Sequence, residues 1–150
     1  MRVNFIGYFY REEKVKIKNA IEIFNTFFKI SNNFSFNLNS VSKDEISSLN
    51  FEYFNKKGPT DVLSFPLFSG IEEIQQLNKK NEDTLGDMFF CRPILKKNAA
   101  VYHKSLTEEL QLVLVHGLLH LVGYSHVEEI ELQKIENTIL DKVWSGSKKS

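Results

Sequence analysis

Apolar residues fall at every second position in two stretches, residues 3–9 and 34–40, the latter carrying Phe34, Phe36 and Leu38. A period of two predicts strands with one face on a core. Between them the period lengthens. Ile17, Ala20, Ile21, Phe24, Phe27 and Phe28 recur at three and four residues, the stripe of an amphipathic helix. A weaker helix is expected over residues 43–53, then a turn at Lys57-Gly58-Pro59 and a strand over residues 60–66. Because proline cannot donate to a ladder, that strand either ends at Pro66 or lies on a sheet edge. Residues 69–83 are polar and lysine-rich, show no core face, and read as an exposed excursion with room for one short helix. Residues 85–90 form a further strand candidate, and Arg92-Pro93 opens a helix containing Ile94, Leu95, Ala99 and Val101.

The next helix announces its own start. Ser105 and Glu108 form a capping box, each able to satisfy a backbone N–H of the other's segment. From Leu110 to Leu121 the segment is apolar on nearly every side, which places it at the centre of the molecule. Gly123 is suited to the left-handed stop that ends a helix. From Val127, the spacing of Ile130, Ile135, Ile139 and Val143 describes a last amphipathic helix ending near Trp144, with a frayed tail over residues 145–150. Strands and helices are interspersed without strict alternation and no repeat is present, so the expectation is one α+β domain over residues 1–150, a mixed sheet flanked by helices.

Composition narrows the function classes. Hydrophobic residues are 42% and charged residues 25%, ordinary for a soluble globular chain, and no apolar run is long enough to span a bilayer. The N-terminal apolar stretch is too short for a secretory signal, and Cys91 stands alone as a small core thiol, so a reducing cytoplasmic setting is expected. Nineteen basic residues balance nineteen acidic ones, so any contact with a polyanion is local. Lysines come close together at Lys14/Lys16/Lys18, Lys56/Lys57, Lys79/Lys80, Lys96/Lys97 and Lys148/Lys149, where they read first as solvated surface.

The chemistry is concentrated in His116-Gly117-Leu118-Leu119-His120-Leu121-Val122-Gly123-Tyr124-Ser125-His126. Histidines four apart stand one turn above each other on a helix, where both imidazoles reach one ion at about 2.0–2.1 Å. If the helix stops at Gly123, the chain folds back and His126 becomes the third nitrogen ligand, leaving a position open for water or substrate. An open site of this kind is catalytic in character. Zinc is the first candidate, with nickel, copper or iron also compatible with nitrogen ligands. His103, thirteen positions before His116, has no such spacing and reads as a surface or hydrogen-bonding residue. Metzincin proteases share the spacing but carry a glutamate after the first histidine as general base. Here that position is Gly117, so peptide hydrolysis lacks its proton acceptor.

The histidine segment, the stretch Pro59-Thr60-Asp61-Val62-Leu63-Ser64-Phe65-Pro66 and Leu85-Gly86-Asp87 together resemble, in order and separation, the motifs of the YbeY family of single-strand endoribonucleases. The resemblance covers Leu49 to His126. It implies metal-dependent RNA cleavage serving ribosomal RNA maturation and quality control of the small ribosomal subunit. The chain departs from the family in two places: Phe54 replaces an arginine, and Ser125 replaces the aspartate before the third histidine. Phe54 cannot hold a phosphate but has a face on which a base can stack. Lys56, Lys57 and Arg92 are the nearby cations available in its stead. Asp61 and Asp87 are candidates for orienting water or a ligating histidine, against the alternative of bonding turn amides at strand ends. Ser64 is a candidate for lining an RNA groove or a plain strand residue. A different reading of the same motifs is a zinc-stabilised, ribosome-associated RNA-binding module with little catalysis. A small-molecule hydrolase has no positive support in the sequence.

Overall fold

The computed structural model describes residues 1–77, 83–124 and 129–148. Its elements are, in order, β1 (Arg2–Ile6), α1 (Arg11–Phe28), β2 (Phe34–Ser40), α2 (Lys43–Phe54), β3 (Val62–Pro66), α3 (Ile71–Gln76), β4 (Asp83–Phe90), α4 (Arg92–Val101), α5 (Leu106–Leu121) and α6 (Glu129–Lys148). The strands form one mixed sheet in the order β1-β2-β4-β3. β1 and β4 both run parallel to β2, while β3 pairs antiparallel with β4 and, among the described residues, has no strand on its other side. This is the α+β, mixed-sheet fold that the interspersed periods predict, with Pro66 on an edge strand.

The core lies between one face of the sheet and the helices. Phe34, Phe36 and Leu38 of β2, with Met88 and Phe90 of β4, meet Phe24 and Ile17 of α1 and the apolar length of α5. α5 is buried as its composition demands: Leu114, Val115, Leu118, Leu119 and Leu121 are at most 2% exposed. Its capping box is present, with Ser105 Oγ accepting from Glu108 N–H at 3.1 Å and Glu108 Oε1 accepting from Ser105 N–H at 3.3 Å. Beyond its last turn, Gly123 takes φ +99° and lies so close to Ser69 and Gly70 that a Cβ there would fall 2.5 Å from Gly70 Cα. The opposite face of the sheet carries a smaller cluster, in which Ile46 of α2 covers Leu63 and Cys91.

Several expected boundaries and faces shift. The first strand stops at Ile6, not residue 9, because the chain turns at Gly7 and Phe9 drops into the core ahead of α1. The third begins at Val62, not residue 60, because Asp61 turns its carboxylate back to the Val62 N–H. The excursion after Ser69 does have a core face: Ile74 is 1% exposed and Ile71 packs beside it, two apolar residues too few to register as a pattern among polar neighbours. Val101 and Ile130 point outward, at 61% and 70% exposed. The buried seam of α6 instead uses Leu132, Ile139, Leu140 and Val143, and the helix continues past Trp144 to Lys148. Gly86 explains an irregularity in β4. Between Ser35↔Thr84 and Asn37↔Asp87 the register slips, and at φ +135° a Cβ on Gly86 would stand 2.1 Å from the Phe65 carbonyl oxygen. Only glycine permits β3 to lie that close.

Candidate metal centre

His116 and His120 lie on consecutive turns of α5, and their Nε2 atoms approach to 3.0 Å. Two imidazoles meet this way either through one shared proton or by turning both lone pairs toward one cation. A tetrahedral ion about 2.05 Å from each nitrogen needs an N···N separation of roughly 3.3 Å, so the pair fits after opening by a few tenths of an ångström. Burial holds the His120 imidazolium pKa below its ordinary value, with the neighbouring His116 acting in the same direction. A neutral ring is what ligation requires.

Behind His116 stands Glu136, from the first half of α6. Its Oε1 is 3.4 Å from His116 Nδ1, and its side chain is only 12% exposed. This contact, opposed by partial burial, raises the His116 pKa, with the charges of Glu136 and Asp61 adding to it. A carboxylate on the far nitrogen of a histidine fixes the tautomer that presents Nε2. Glu136 was invisible to motif reasoning because it is one of several acidic residues in α6 and lies twenty positions beyond His116. Replacing it by glutamine is expected to weaken metal binding by roughly 10–100-fold. Competition with a chromogenic chelator measures this, and equal affinity in the two proteins would remove Glu136 from the site.

The third expected ligand, His126, and Ser125 beside it lie outside the described residues, as do Lys79 and Lys80. Among the described residues no group of three or more histidine, cysteine, aspartate or glutamate side chains is gathered about one point. The two aspartates separate. Asp61 sits at the entrance of β3, its Oδ1 accepting from Val62 N–H at 2.8 Å and from the Thr60 hydroxyl at 3.4 Å, near enough for its charge to act on His116. Asp87 pairs with Phe65 across the ladder, on the sheet face away from α5, where it accepts from Asn37 Nδ2 at 2.8 Å. The fold therefore does not bring Asp87 to the histidines. Ser64 is on the α5 face and donates to the Gly117 carbonyl at 2.9 Å, pinning β3 to the helix one residue after His116.

Arg92 is committed elsewhere. Its Nε and Nη2 grip the Glu13 carboxylate at 2.8 and 2.6 Å, Nη2 also donates to the Tyr8 carbonyl, and the guanidinium lies 5.1 Å from the Tyr10 ring centroid. Lys56 and Lys57 are exposed just beyond α2, next to Phe54. His103 is exposed, with φ +54°. One buried group escaped sequence reasoning altogether: Glu109 is 4% exposed and lies seven residues before His116, so it shares that face of α5. Burial pushes its carboxyl pKa up, Lys104 at 4.0 Å from Oε2 partly counteracting and Asp61 reinforcing.

An α+β fold whose buried helix presents paired histidines beside an edge strand defines the class of this protein. A model of the family described as Endoribonuclease YbeY matches residues 9–143, and the chain belongs to that family. Three relatives with that name are similar to it: one from Prochlorococcus marinus at 36% identity over 114 residues, one from Thermotoga neapolitana at 33% over 117, and one from Methylococcus capsulatus at 40% over 97. These matches take in 76%, 75% and 65% of the chain, and 62%, 70% and 60% of the respective relatives. The chain thus spans under two thirds of the length of two of the three. A solution structure from Thermotoga maritima is similar over 98% of this chain and 92% of its own, with a TM-score of 0.64 at 25% identity.

Proposed function

We propose that this chain is a metal-dependent, single-strand-specific endoribonuclease that acts in the cytoplasm on ribosomal RNA, in maturation and quality control of the small ribosomal subunit. The observation that carries the reading is the convergence of His116 and His120 at 3.0 Å with Glu136 behind the first. The name Endoribonuclease YbeY, carried by the matching relatives, supplies the reaction. Zinc is the ion proposed, with His116, His120 and His126 as ligands, and nickel or another transition metal is chemically compatible. When bound, such an ion stabilises negative charge on phosphate oxygens and acidifies water.

The chain's own groups do the rest. Glu136 orients the His116 ring, Asp61 adds a negative field favouring a cation there, and Lys56 and Lys57 are placed to meet the RNA backbone. No helix among the described residues is long and apolar enough to cross a membrane. The test is incubation with an end-labelled ribosomal fragment, single-stranded and annealed, followed by mapping of the product termini. Cleavage of the single-stranded form alone is expected. A 2′,3′-cyclic phosphate with a 5′-hydroxyl would assign the ribose hydroxyl as nucleophile, and a 3′-hydroxyl with a 5′-phosphate would assign water. One observation favours a second reading, an RNA-binding module with zinc as a structural ion: Arg92, a cation available in place of the arginine that the resemblance implies at position 54, is locked on Glu13. That reading predicts retention of the fragment without turnover in the same assay.

A further inference from the structure

Three large aromatics lie exposed within four residues at the end of α2: Phe51 at 57%, Tyr53 at 59% and Phe54 at 45%. Tyr53 and Phe54 both rest on Phe65 of β3, with ring centroids 5.0 and 5.7 Å away, and Phe65 is backed in turn by Phe89 at 5.6 Å. The Tyr53 contact is edge-on, at 71°, and places only its rim on Phe65. Aromatic rings this exposed on a helix end are a poor use of apolar surface unless something covers them.

Their place in the sheet says what. Phe65 projects from one face of β3, while its neighbour Ser64 projects from the other and bonds the Gly117 carbonyl, next to His116. The aromatic cluster and the helix that carries the histidine pair therefore lie on opposite faces of one edge strand. The ladder is bracketed by Cys91 N–H to Asp61 O and Leu67 N–H to Leu85 O, so Leu63 and Phe65 bond inward to β4, and Val62 and Ser64 turn their backbone groups outward. Asp61 occupies the Val62 N–H. Among the described residues, the outward N–H of Ser64 and the carbonyls of Val62 and Ser64 meet no partner. Lys56 and Lys57 follow the aromatics directly and are exposed, giving this edge the charge an RNA backbone seeks.

We infer that Tyr53, Phe54 and Phe65 form a base-stacking subsite for single-stranded RNA, which crosses the β3 edge with its backbone toward His116 and His120 and an unstacked base on the aromatic platform. The inference rests on the ribonuclease reading above and adds to it a physical source of single-strand selectivity. A base inside a duplex has both faces occupied and cannot reach the platform, whereas a base in a single strand gains a stacking partner whatever its identity. Position 54 thereby exchanges a phosphate-gripping cation for a surface that grips the base.

The test compares binding of a fluorescent single-stranded octaribonucleotide with that of the same backbone lacking bases, by anisotropy under conditions that block cleavage. Wild type is expected to prefer the base-bearing strand by roughly tenfold or more. The double substitution Tyr53→Leu/Phe54→Leu keeps apolar cover over Phe65 and is expected to bind both strands at the abasic level, with the salt dependence of Lys56 and Lys57 intact. Should the double variant not fold, the single change Phe54→Leu at its exposed position is expected to lose part of the same preference. A wild type that binds or cleaves RNA yet ignores the bases, or a folded variant that keeps the preference, overturns the subsite and leaves the ribonuclease reading standing. A wild type that binds neither strand overturns both.

Discussion

Gly117→Glu, the change that would complete a metzincin-like zinc motif, is expected to destabilise the protein by about 4–6 kcal/mol and to confer no proteolysis. A Cβ at position 117 would stand 2.5 Å from Met88 Cε, 3.2 Å from Val62 Cγ2 and 3.3 Å from Ser64 Oγ. The glycine is the point at which α5 settles onto β3 and β4, and its missing side chain points into the sheet rather than toward the histidines. A methyl there displaces only the flexible end of Met88, at a cost of about 1–3 kcal/mol from overpacking. A glutamate must additionally place a carboxylate against Met88 and Val62 without a partner, which adds several kcal/mol. Against a total stability of about 5–15 kcal/mol, the sum leaves little. Urea denaturation of Gly117→Ala and Gly117→Glu reads the two increments separately. A glutamate variant as stable as wild type would mean that this face of α5 does not meet the sheet as described.

The second large effect is functional. His120→Ala is expected to abolish stoichiometric metal binding and to lower RNA cleavage by roughly a thousandfold, while costing little stability. The ring is only partly buried at the open side of the helix, where shortening it creates no enclosed cavity. Its Nε2, however, is half of the convergent pair. One ligand lost from three removes the charge on which stabilisation of the phosphate would depend, an effect of several kcal/mol. A loss of cleavage together with a collapse in melting temperature would point to a structural metal instead, the RNA-binding alternative.

Much of the fold was legible because its signals are local. The capping box at Ser105, the all-round apolar length of α5, the stripe of α1 and the alternation in β2 each lie within a few turns or strand residues, and each element formed where expected. The histidine pair was legible for the same reason, since a spacing of four on a helix is geometry. What stayed hidden depends on distant partners. Arg92 and Glu13 are 79 residues apart, and nothing near either announces a bidentate grip that consumes the guanidinium. Asp61 and Asp87 look alike in sequence and part company only once α5 covers the face that carries Ser64 and Met88 and leaves Asp87 on the other. Glu136 could not be selected among the acidic residues of α6 without the rotation of that helix, whose seam begins at Leu132 and not at the exposed Ile130.

The histidine pair is tested as the reaction centre by the rate of single-stranded RNA cleavage as zinc is titrated into chelator-stripped protein, with wild type and His120→Ala side by side. The stripped protein is expected to show no cleavage, the wild type a rate that rises with zinc and saturates near one equivalent, and the variant a flat baseline. Cleavage by the stripped wild type, or the same zinc-dependent rise in His120→Ala, would contradict a reaction centred on this histidine pair.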